Sequence, residues 1–296
     1  MMSRLALALV SFVLLSSNGH GQDRPDTGLD LRRALAAEAN EVSGLRTALE
    51  KWRDVLAVQD AAAACGCTVE PKIREKISKS WLYAVEQGFD VNKLATDIHA
   101  AMVEKLTAAD LRAVVDFDKT NLGQRIISAT HGSKSTRGEL NSPDRLAADT
   151  AKIGAAAKTL AANPRRAAVI AELVAVTQAV KGQIDAMMSV FVGSLKGSAA
   201  ATPSGRPQMD EDKVAELIED QRAMMQTSFE SLMPSAFEAM YSAIPTDDLK
   251  TYVVWRKSAA ARNFQRVQDD SFVASLRATS EKIGGHFVRS MEGDDI

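Results

Sequence analysis

The run PRRAAVIAELVAVTQAVKGQIDAMMSVFVGSLK, residues 164–196, decides the fold class. Ile170, Leu173, Val176, Val180, Ile184, Met187, Phe191 and Leu195 recur at spacings of three and four. That period places apolar side chains on one face of an α-helix. Asn163 offers a capping oxygen just before it, and Pro164 suits a first turn, where its missing N–H would have no partner. The pattern predicts one long helix over 164–196. Gly197 then opens a stretch of small residues with two prolines, Pro203 and Pro207, which reads as a flexible linker over 197–209. Helix resumes near Asp210 with Val214, Leu217, Met224, Met225, Leu232 and Met233 on its buried side, until Pro234 kinks or breaks it.

The preceding half is written the same way. Leu45, Leu49, Trp52 and Leu56 form one stripe, and Ile73, Ile77, Trp81 and Val85 another, with Cys65, Gly66 and Cys67 ending a helix between them. Gly88 is placed to close the second helix. Phe89, Asp90 and Leu94 have the spacing of a hydrophobic staple around an N-cap, and Leu94, Ile98 and Met102 carry the next helix. Thr107 with Asp110 resembles a capping box and opens a helix through Leu111, Val115 and Asp118. Ser133 to Pro143 is polar and turn-rich and reads as a loop, followed by an Ala-rich bridging helix over Asp144 to Ala162. Alternating strand patterns are missing, aromatic content is 5%, and there are only 8 prolines. The expectation is an all-α protein of two helical-bundle-like halves with no sheet.

The halves also match each other. An offset of 138 residues sets Leu111 over Leu249 (249 against 111), Arg112 over Lys250, Phe117 over Trp255 and Lys119 over Lys257. This suggests divergent repeats. The organisation expected is a leader over 1–21, a first repeat over 22–131, a loop and bridging helix over 132–163, and a second repeat over 164–296.

Two runs carry a family resemblance: Leu106 to Arg112 (LTAADLR) and Phe117 to Arg125 (FDKTNLGQR). Together they resemble a bacterial family known as the domain of unknown function numbered 2059. Its members have a Thr/Ser-capped helix, then an aromatic pair, a Ser-Pro step, a Gly and a basic residue. Here Asp118 stands in place of the second aromatic, Thr120 in place of Ser, and Asn121 in place of Pro, while Gly123 and Arg125 follow the pattern. The second run, Trp255 to Arg262 (WRKSAAAR), keeps the aromatic and Ser258 but lacks the Pro and Gly. Met187 and Met188 are similar to the paired methionines that end the family's first helix. The resemblance covers roughly 164–290 and, more weakly, 41–131. It implies an exported helical bundle, usually periplasmic in Gram-negative bacteria, and no established catalytic residues. The family-like positions are Leu111, Phe117, Thr120, Gly123, Arg125, Leu249, Trp255 and Ser258. Physically, Phe117 would anchor a helix in the core, Thr120 or Asn121 would cap or interrupt, and Gly123 would permit close packing.

The first residues point to the same compartment. Arg4 precedes an apolar run from Leu5 to Leu15 that is too short to span a bilayer, and Gly19 and Gly21 suit the positions before a cut near Gly21/Gln22. This reads as a signal peptide, with an uncleaved anchor as the alternative. No later segment reaches about eighteen uninterrupted apolar residues, so no transmembrane segment is expected in the mature chain. Arg4 is the leader's only formal charge, so cleavage moves the net charge from -2 to -3. Interleaved acids and bases give no nucleic-acid footprint.

Candidate chemistry is sparse. Cys65 and Cys67, the only cysteines, would sit in an oxidising compartment, as a local disulfide, as free or intermolecular thiols, or as a redox or metal-binding pair. Joined with Met187, Met188, Met224 and Met225 they would offer soft ligands to Cu(I), although methionine pairs more often fill cores. His99, His131 and His286 are isolated from one another, so they give no zinc spacing. His99 and Asp97 point to different helix faces, and His131 fits a helix C-terminus. Trp52, Trp81 and Trp255 read as packing residues. Arg165, Arg166, Arg256, Lys257, Arg262 and Arg266 read as solvated basic faces. No nucleophile elbow, phosphate loop, dinucleotide fingerprint or paired-carboxylate pattern is present, and no cofactor is called for. The functional expectation is a protein-binding or structural module whose apolar grooves meet a protein partner or a second copy. A redox or metal role for Cys65 and Cys67, or carriage of a small apolar ligand, are the alternatives.

Overall fold

A computed structural model describes residues 27–58, 70–131, 143–203 and 211–293. Over these the chain is all-α, with twelve helices and no strand. The first half holds α1 (Thr27–Val42), α2 (Leu45–Ala57), α3 (Pro71–Gly88), α4 (Val91–Lys105), α5 (Ala108–Asp118) and α6 (Asn121–His131). The second holds α7 (Pro143–Ala162), α8 (Pro164–Val176), α9 (Ala179–Ala201), α10 (Glu211–Tyr241), α11 (Thr246–Arg256) and α12 (Ala259–Glu292).

Local chemistry sets the boundaries. The Asp90 carboxylate accepts the Lys93 N–H at 2.9 Å. Thr107 Oγ1 accepts the Asp110 N–H at 3.0 Å while Asp110 accepts the Thr107 N–H at 3.3 Å, completing the expected capping box. Asn163 Oδ1 accepts the Arg166 N–H at 3.1 Å, and Ser258 Oγ the Ala261 N–H at 3.2 Å. Each satisfies an amide that the helix itself cannot, worth about 1 kcal/mol.

Two boundaries differ from expectation. The single helix over 164–196 is two helices, α8 and α9, bent by 45° at Thr177-Gln178. Thr177 Oγ1 donates to the Leu173 carbonyl at 2.7 Å and Gln178 turns left-handed at φ 49°, a conformation that no apolar period can reveal. The linker does not begin at Gly197, because α9 continues to Ala201. Gly197 is needed for contact: a Cβ there would lie 1.8 Å from the Glu281 carbonyl oxygen of α12. Of the two outcomes expected at Pro234, a kink or a break, the break does not occur, since α10 runs on to Tyr241.

Two cores form, and they do not follow the division of the chain at 132–163. One is built by α1 to α5 around Phe264, Val267, Phe272, Leu276 and Ile283 of α12, with Ala186 and Val190 of α9. The other gathers α8, α10 and α11, with Ile184 and Met188 of α9 and Ile126 of α6. The closing helix of each half therefore contributes to the other half's core, and the halves interlock. Along α12, α9 runs parallel: Gly193 meets Arg277 and Gly197 meets Glu281, each advancing by four residues. Gly284 returns the contact against the Ser194 carbonyl, where an added Cβ would lie 2.1 Å away.

Candidate functional site

The family-like positions are brought together where the halves meet. Leu111 and Leu249 are fully buried, one in each core. Phe117 at the end of α5 stacks on Trp255 at the end of α11, with centroids 4.6 Å apart and planes at 17°. Tyr252 extends the stack, 5.9 Å from Phe117 and 5.6 Å from Trp255. Past the stack the two segments of the chain turn alike. Lys119 and Lys257 cap their helices in right-handed conformation, and the N–H groups of Thr120 and Ser258 bond back to the carbonyls of Phe117 and Trp255. Thr120 Oγ1 then accepts the Gly123 N–H at 3.0 Å, as Ser258 Oγ accepts that of Ala261. Gly123 is required by close approach, because a Cβ would fall 2.0 Å from the Phe117 carbonyl oxygen.

Contacts recur in matched pairs. Arg125 donates to Asp248 at 2.8 Å, and Asn263 donates to Asp110 at 3.4 Å. Donors and acceptors are each offset by 138 residues (263 against 125, 248 against 110), and both bonds cross from one half to the other. Within each half, Lys119 pairs with Glu38 and Lys257 with Glu172. Here the lysines are offset by 138 (257 against 119) and the glutamates by 134 (172 against 38). α2 and α9 also start alike, each after a left-handed residue, Gly44 at φ 67° and Gln178 at φ 49°. Reciprocal contacts of this kind are what a twofold axis produces. Exposed ion pairs add little stability, so these matter as geometry.

Beside the stack lies a polar network. Arg256, 1% exposed, donates to Gln265 Oε1, and Gln265 Nε2 donates to the Thr177 carbonyl at the α8–α9 break. Asp269, one turn along α12, is hydrogen-bonded by Gln265. Desolvation pushes its carboxyl up to about 7, against the opposing pull of Gln265, Arg256 and Lys181. Burial likewise holds Tyr241 well above its ordinary value and Tyr252 up to about 12, so both stay neutral phenols. Tyr241 O–H lies 3.4 Å from Thr130 Oγ1, tying α10 to α6.

Two arginines read as solvated are not. Besides Arg256, Arg166 is 7% exposed and donates to Glu238 at 2.6 Å and to the carbonyls of Tyr241 and Ile244 at 2.8 Å. A signal existed: Arg166 shares its face with Ile170 and Leu173, and Arg256 with Leu249 and Val253. Arg165, Lys257, Arg262 and Arg266 do face outward. Trp52, Trp81 and Trp255 are buried, at 3%, 8% and 5% exposure. Met188 and Met225 pack in the second core, Met187 lies against both cores, and Met224 is exposed. His99 faces Asn40 at 3.5 Å, while Asp97 binds Lys93 and Ser275 instead. His286 lies beside Arg289, and His131 ends α6. Among the described residues no three His, Cys, Asp or Glu side chains converge. Cys65, Cys67, the expected leader over 1–21 and the segment 132–142 lie outside the described residues.

No family model, curated protein or solved structure matches this chain. No single described helix is long and apolar enough to cross a membrane.

Proposed function

We propose that this chain is an internally duplicated, exported helical protein of the bacterial periplasm that works by binding another protein at its outer surface. The observation that carries the reading is the stack of Phe117, Tyr252 and Trp255. A carrier of a small apolar ligand needs a cavity between its bundles, and here that junction is filled by rings in contact. Duplication is supported by the reciprocal bonds Arg125–Asp248 and Asn263–Asp110 and by the matched ion pairs to Glu38 and Glu172. Export is supported by Arg4 and the apolar run Leu5 to Leu15, and the resemblance to the family numbered 2059 agrees with it. Among the described residues, the large apolar ones left exposed, Leu29, Leu31, Ile73, Met224 and Val254, are spread over four helices, which suits a broad contact surface better than one deep groove.

Photo-crosslinkers placed at Ile73 and at Val254, the latter 70% exposed, test this in the producing bacterium. The expected result is a discrete heavier adduct from one of the two positions, retained when Cys65 and Cys67 are both replaced by Ser. Loss of the adduct in that double variant would transfer the function to the thiol pair. A monomer with no adduct, carrying a non-covalent apolar molecule in native mass spectra, would overturn the reading in favour of a carrier.

A further inference from the structure

We draw no further inference here: the strongest candidate, the small cleft beside α9 and α12 lined by Trp52, Gln183, Ala186, Asp269 and Phe272, has a volume of about 10 Å³, room for one water and no larger ligand, and nothing among the described residues shows what would occupy it.

Discussion

One substitution made at two glycines should change stability in opposite directions. In a helix interior, Gly to Ala removes backbone entropy from the unfolded chain and gains about 1 kcal/mol when the new methyl meets nothing. Gly154 of α7 is such a site, with no atom within 4 Å of its added Cβ. Gly154→Ala should therefore stabilise by about 0.5–1 kcal/mol. At Gly197 the same methyl lies 1.8 Å from the Glu281 carbonyl oxygen and 2.6 Å from its carbon. Ordinary contact begins near 3.4 Å, so α9 and α12 must part by roughly 1.6 Å, and a gap of even 0.5–1 Å already forfeits about a quarter to a half of the attraction across a packed surface. Overpacking of this kind costs about 1–3 kcal/mol, and the size of the overlap places Gly197 at the upper end. Set against the propensity gain, the net loss is about 2 kcal/mol. At about 2–4 °C per kcal/mol for a chain this long, thermal unfolding should shift down by roughly 4–8 °C for Gly197→Ala and up by a few degrees for Gly154→Ala. Two shifts of the same sign, or a neutral Gly197→Ala, would refute the glycine-mediated contact between α9 and α12.

The buried pair Arg166–Glu238 makes a second prediction. Arg166→Met strands a carboxylate that is 4% exposed and should cost about 3–5 kcal/mol in denaturant unfolding, much of it recovered when Glu238→Gln is added. A loss under 1 kcal/mol would show that the pair is solvated. For the stack at the junction, a double-mutant cycle of Phe117→Leu with Trp255→Leu should return a coupling of about 0.5–1.5 kcal/mol, and zero coupling would show that the rings do not touch.

Helix identity was legible because the period of three to four survives in nearly every helix, and the caps at Asp90, Thr107 and Asn163 were legible because capping needs a particular oxygen at a particular place. The break at Thr177-Gln178 was not, since the apolar face continues across it and neither residue is a strong helix breaker. Gly197 misled for a related reason. Small residues serve equally in a linker and against a close neighbouring helix, and only the presence of Glu281 on the far side of the chain separates the two. That Phe117 and Trp255 stack on each other is a fact of tertiary packing, which no motif in either run could show. Arg166 and Arg256 could have been recovered, because each shares a face with buried aliphatic residues. Arginine's reputation for the surface outweighed its position.

The proposed duplication also explains why the junction could become heterogeneous. Between two identical subunits, a residue on the axis meets its own copy, so size and charge there are constrained to be self-compatible. One chain carrying both copies has no such constraint. Phe117 faces Trp255, a small ring against a large one, where two indoles would compete for the same space. Their neighbours Asp118 and Arg256 are likewise offset by 138 (256 against 118) and opposite in charge, and both are buried, at 2% and 1% exposure. Both bear on one phenol, since Arg256 lowers the Tyr252 proton affinity and Asp118 raises it. Two aspartates or two arginines at these positions would leave like charges in a dry interior, which costs far more than a surface mismatch. On the proposed duplication, the difference between 118 and 256 would favour the pairing of unlike halves over the pairing of like ones, and would tie the chain's interlocked architecture to its remaining in one piece.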